Sequence, residues 1–120
     1  MSDADRRGVG RETRTSPELN RLRVEIDELD RRIVSLLNER AELTRAVWHE
    51  KVAIGRRAIR DREREREVLL RVSIANEGPI AQADLLAIYR RLIASARALE
   101  TAERERLGRD ADESPEPPGA

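Results

Sequence analysis

Residues 17 to 54 read PELNRLRVEIDELDRRIVSLLNERAELTRAVWHEKVAI, and Gly55 follows them. Leu19, Leu22, Ile26, Leu29, Ile33 and Leu36, then Leu43 and Val47, recur in steps of three and four, the spacing that lines up side chains along one stripe of a helix. Ser16 suits the N-cap, Pro17 suits the first helical position, and Gly55 suits the stop. The pattern predicts a helix of roughly 36 residues, about 54 Å long at 1.5 Å per residue. So small a protomer cannot cover such a helix, and the simplest partner is a second copy of the chain. The expected architecture is therefore all-α: three-helix protomers with a long first helix, joined as an intertwined homodimeric bundle.

The rest of the chain fits that frame. A second helix is predicted from about Asp61, its expected cap, to Asn76, with Val68, Leu69 and Val72 inward and Glu77-Gly78-Pro79 closing it. A third is predicted from about Gln82 to Leu107, with a stripe of Leu85, Tyr89, Leu92, Ala96 and Leu99. Residues 1–16 and 108–120 are polar and rich in Gly, Pro and charge, and are expected to be disordered tails flanking one domain over 17–107.

Composition removes several function classes. The 120 residues contain no cysteine and one histidine, His49, which excludes a disulfide framework, a thiolate nucleophile and a His- or Cys-based metal cluster. Charged residues make up 40 % but sum to zero, and in residues 60–67 an acid stands beside nearly every arginine, which argues against a nucleic-acid binder. With no apolar run long enough for a membrane span and no secretory signal, the expectation is a cytoplasmic protein.

The informative feature is a set of charges in core positions. Arg40 falls in the stripe between Leu36 and Leu43, and Lys51 follows Val47 by four; all the other basic residues are arginines. A buried cation without a partner costs several kcal/mol, so each must meet an anion, from the protein or from a ligand. Glu65 precedes Val68 and Leu69 by three and four, and Glu100 follows Ala96 by four, so both carboxylates point inward as well. On spacing alone this is either a ligand site or a buried ion-pair network. Arg23 lies at the edge of the seam.

Taken in order, Leu22 to Asp30, Leu36 to Arg40, Val47, Lys51, Ile59-Arg60-Asp61, Arg64-Glu65, Val68-Leu69, and Ile88 to Ile93 with Leu99-Glu100 resemble the AroQ-type (type II), all-α chorismate mutases. The resemblance spans nearly the whole expected folded part. It implies a homodimer with two equivalent sites, each using Arg40 and Lys51 of one protomer and Arg23 of the other. It also implies a pericyclic rearrangement of chorismate to prephenate, a step of phenylalanine and tyrosine biosynthesis that needs no metal or cofactor.

By the family's pattern Arg40 and the partner's Arg23 clamp the two substrate carboxylates, and Lys51 donates to the ether oxygen. Glu65 accepts from the ring hydroxyl, helped by the backbone near Asp61, and Arg64 supports the site electrostatically. Three positions depart from the pattern. Glu100 stands where Gln is common, Ala96 where Ser is frequent, and Trp48 where Gly is frequent, so a carboxylate contact is expected to be missing and packing beside Lys51 to be altered. For Glu100 to donate it must be protonated; burial favours that form and the neighbouring cations oppose it. Two other readings compete, an isochorismate pyruvate lyase on the same scaffold and a non-catalytic helical dimerisation or regulatory module. An association with another enzyme of aromatic biosynthesis is left open by the sequence.

Overall fold

The computed structural model describes residues 14–56 and 60–113. It contains three helices and, among the described residues, no strand: α1 is Pro17–Ala53, α2 is Arg62–Ala75 and α3 is Gln82–Glu113. No described helix is long and apolar enough to cross a membrane. Ile59 and most of the two expected tails lie outside the described residues.

The chain forms two compact units, one ending at Asn38 and one beginning at Glu39. The first contains the opening turns of α1. The Ser16 hydroxyl accepts from the Leu19 N–H at 3.0 Å, satisfying an amide that the first helical turn leaves free. Arg21 pairs with Glu18 one turn before it and with Glu25 one turn after it, contacts that support an exposed helix by a few tenths of a kcal/mol each. Its apolar stripe is open to solvent among the described residues: Leu22, Ile26, Leu29, Ile33 and Leu36 are 43 to 59 % exposed.

The second unit holds the end of α1, all of α2 and all of α3. Here the side of α1 that packs within the chain differs from the expected stripe. Leu43 and Val47 are exposed, whereas Trp48 is 2 % exposed and Ala41, Thr44 and Arg45 are half-buried on the same side. The reason is geometric: residues 41, 44, 45 and 48 also obey three-and-four spacing, so a stripe next to the expected one is equally regular, and the large indole is buried on it. Among the described residues Ile93 is the other buried apolar side chain, accompanied by two buried carboxylates, Glu100 and Glu103.

Three ends shape the unit. Gly55, at φ +80°, closes α1 with two backbone bonds, Gly55 N–H to the Val52 carbonyl at 3.1 Å and Arg56 N–H to the Lys51 carbonyl at 2.7 Å. This paired Schellman closure requires the left-handed conformation that glycine adopts without penalty, and it turns Arg56 back beside Lys51. Asp61 caps α2 through Oδ1, which accepts from the Arg64 N–H at 3.0 Å. Between α2 and α3, the Asn76 amide donates to the Ile80 carbonyl and the Gln82 side chain, so a single residue wires the connection that Gly78 and Pro79 were expected to make. α3 runs past the expected end at Leu107 through Gly108 to Glu113. Arg106 pairs there with Glu103 and Asp110, and such i,i+3 and i,i+4 contacts offset the roughly 1 kcal/mol that glycine costs a helix.

Candidate active site

Within the second unit a cavity of about 470 Å³ opens among α1, α2, α3 and the turn after Gly55. Of the residues singled out from sequence, Arg40, Lys51, Asp61, Arg64, Glu65 and Glu100 all line it. Arg23 lies in the first unit, exposed on α1. The cavity's apolar wall comes from Leu43, Val47, Val68, Ile93 and Ala96, which explains why Leu43 and Val47 follow the stripe yet are not packed away.

The ionic arrangement divides into two parts. Lys51 and Glu100 form the more buried one, with Nζ 4.0 Å from Oε2 and side chains 12 and 8 % exposed. That separation is an ion pair without a hydrogen bond, and Glu100 Oε2 is buried with no hydrogen-bond partner. Burial raises the Glu100 carboxyl above the ordinary range and Lys51 opposes the rise without cancelling it. Of the two opposing influences anticipated from sequence, burial is the larger.

The second part surrounds Glu65. Its Oε1 meets Arg97 Nη1 at 3.3 Å and its Oε2 meets Arg60 Nε at 3.2 Å, so each carboxylate oxygen is held by a guanidinium. Asp61 does two jobs: Oδ1 caps α2 while Oδ2 lies 3.7 Å from Arg56 Nη2. The cavity walls thus carry five cations, Arg40, Lys51, Arg56, Arg64 and Arg97, against three carboxylates, Asp61, Glu65 and Glu100.

Arg56 and Arg97 were not among the residues identified from sequence. Arg97 had a signal, since it follows Ile93 by four just as Glu100 follows Ala96. Arg56 had none, because its place comes from the left-handed turn at Gly55 and not from a helical period. Ala96 lines the cavity and Ser95 is exposed, so the departure at this position leaves no hydroxyl toward the cavity from either residue.

A separate cluster anchors α1 to α3 outside the cavity. The Glu103 carboxylate, 8 % exposed, takes Arg106 at 2.6 Å, His49 Nε2 at 3.2 Å and Arg45 at 3.6 Å. The Arg106 hydrogen bond is the main reason its pKa falls to about 2. Glu103 lies one helical turn after Glu100, and Arg45 and His49 belong to the same helix as Lys51. This tie joins the same two helices as the Lys51–Glu100 pair, one turn further along α3.

Among proteins of known family, residues 22–101 match the family described as chorismate mutase type II. Over 87 residues the chain is 36 % identical to a bifunctional chorismate mutase/prephenate dehydratase of Stutzerimonas stutzeri and 38 % identical to one of Aquifex aeolicus (strain VF5). Each match covers 69 % of this chain and 24 % of the relative, so the chain corresponds to about a quarter of the length of these proteins. The family match takes in α2, most of α1 and the part of α3 that carries Ala96, Arg97 and Glu100. On the extent of that match, the chain belongs to the type II chorismate mutase family.

Proposed function

We propose that the protein is a chorismate mutase, converting chorismate to prephenate as a cytoplasmic homodimer in aromatic amino-acid biosynthesis. The observation that carries this reading is the cavity's imbalance of five cations over three carboxylates around a partly apolar wall. Such a site suits a compact dicarboxylate, and chorismate is one. Its rearrangement is a cyclic six-electron shift: the ether C–O bond breaks as the enolpyruvyl methylene carbon bonds to the ring carbon bearing the carboxylate. No proton, nucleophile or redox partner enters the balance. The protein's tasks are to hold the chair-like conformer and to stabilise negative charge growing on the ether oxygen.

Arg40 holds a substrate carboxylate through the planar guanidinium fork, and the partner's Arg23 holds the other. Lys51 donates to the ether oxygen from a site where water is scarce and its charge is poorly screened. Glu100 in its protonated form is a second donor to that oxygen. Glu65 accepts from the ring hydroxyl, close to Asp61 at the start of α2, and Arg64 adds positive potential at the rim.

Two observations support the dimer. The apolar stripe of α1 is exposed in one chain, and burying each Leu or Ile is worth about 1.5–3 kcal/mol. Arg23 shares that stripe's edge, so pairing the long helices brings it toward another chain. The deciding experiment incubates the purified protein with chorismate and with isochorismate and follows the products. Prephenate from chorismate is the expected result. Salicylate and pyruvate from isochorismate would establish the lyase instead, and turnover of neither would return the chain to a regulatory helical module.

A further inference from the structure

A second cavity, of about 390 Å³, lies beside the first on the flank of α2 and α3. Arg60, Arg62, Arg66, Arg90 and Arg97 line it together with Leu69, Ile93 and a single acid, Glu65. That acid is already engaged by Arg60 and Arg97. Among the described residues Arg62, Arg66 and Arg90 make no ion pair. This placement is unfavourable unless an anion compensates it. Arg62 and Arg66 are like charges at i,i+4, and both stand near the positive end of α2, an effect only partly offset by Glu63 and Glu65.

We infer that this arginine-lined cavity is a regulatory site for a small, multiply charged oxyanion, phosphate-bearing or polycarboxylate, whose occupancy is transmitted to the neighbouring cavity through Glu65. Guanidinium forks on two helices present paired N–H donors that match either oxyanion. The transmission is structural. Glu65, Ile93 and Arg97 belong to the walls of both cavities. An anion bound by Arg62, Arg66 and Arg90 also attracts Arg60 and Arg97, which now neutralise the two Glu65 oxygens. As those contacts loosen, more of the Glu65 charge faces the first cavity, and a dianionic substrate there is held less tightly. Linkage makes the effect reciprocal: the substrate weakens anion binding by the same factor.

Binding is tested first without substrate, by calorimetry with pyrophosphate and, separately, citrate, at an ionic strength fixed with chloride. Saturable binding of at least one is expected, and the two arms distinguish phosphate from carboxylate preference. The Arg62→Gln/Arg66→Gln variant, altered only at exposed residues, should bind about tenfold or more weakly, with Arg90→Gln giving an independent loss from the other helix. Absence of binding to both anions, or equal binding in both variants, overturns the site. The kinetic arm rests on the chorismate mutase reading: the preferred anion should raise KM for chorismate to a plateau with little change in kcat, and less so in the double variant. A rise that never saturates and persists in both variants would place the anion in the chorismate cavity and overturn the regulatory role. Loss of anion binding in the variants of a protein without chorismate turnover would uphold the oxyanion site while refuting the mutase reading.

Discussion

Glu100→Gln separates the two chemical states of the most buried acid of the cavity. In the wild type, burial raises the carboxyl's pKa and Lys51 at 4.0 Å restrains the rise. Each tenfold change in proton affinity corresponds to about 1.4 kcal/mol, so above its pKa the fraction of neutral acid falls about tenfold per pH unit. If only the neutral form donates to the ether oxygen, kcat/KM falls along that line as pH rises. An oxyanion donor is worth about 10²- to 10³-fold in rate, which bounds the loss once the acid is ionised. An amide donates throughout, so the Gln variant should give a flat profile and equal or higher activity at neutral pH. It also frees Lys51 from its counter-charge, which should lower KM for a dianion. Stability follows the same sign. A carboxyl whose pKa is raised on folding binds more protons in the native state, so wild-type stability falls as pH rises from the unfolded pKa through the folded one, and the Gln variant lacks that slope. Initial rates of chorismate loss from about pH 5 to about pH 9, with melting curves at each pH, provide the measurement. Superimposable activity profiles, or a Gln variant inactive at every pH, would refute a neutral donor at this position.

Arg40→Ala and Lys51→Ala should each lower kcat/KM about 10²-fold or more by removing fixed charge from a water-poor site, and near wild-type rates in a folded variant would remove that residue from the mechanism. Sedimentation at micromolar concentration should show a dimer and no folded monomer, because α1 exposes its apolar stripe in a single chain. Mixing inactive Arg23→Ala and Arg40→Ala proteins should restore one intact site per heterodimer, whereas no recovery after demonstrated subunit exchange would place Arg23 elsewhere. Glu103, depressed to about 2, contributes stability present above its unfolded pKa of about 4.3 and lost as pH falls toward 2. Glu103→Gln should therefore melt lower at neutral pH and lose less on acidification, as read by thermal scans across that range.

Legibility in the sequence followed helical periodicity and failed where periodicity gives no instruction. The ends of α1 and α2 were readable because Ser16, Asp61 and Gly55 satisfy local hydrogen-bonding needs that do not depend on distant contacts. Arg40, Lys51, Glu65 and Glu100 were readable as charges in the rows of apolar neighbours, and they line a single cavity. The buried row of α1 was not, since two adjacent stripes obey the same spacing and periodicity does not select between them. Arg56 enters through a turn, and the pairing of both Glu65 oxygens depends on how α2 and α3 approach each other. The end of α3 was misread because composition marks Gly108 as a breaker while the Arg106 ion pairs extend the helix past it.

The stripe and the buried indole also explain one another. A small chain that used Leu43 and Val47 for its own core would have little apolar wall left for a cavity and a less continuous surface for a second long helix. Trp48 is buried instead, one row away, and Arg45 and His49 tie α1 to α3 through Glu103. Leu43 and Val47 then remain beside Arg40 and Lys51, where apolar surface reduces competition from water for the charges. With Trp48 buried on the neighbouring row, Leu43 and Val47 are left free to line the cavity.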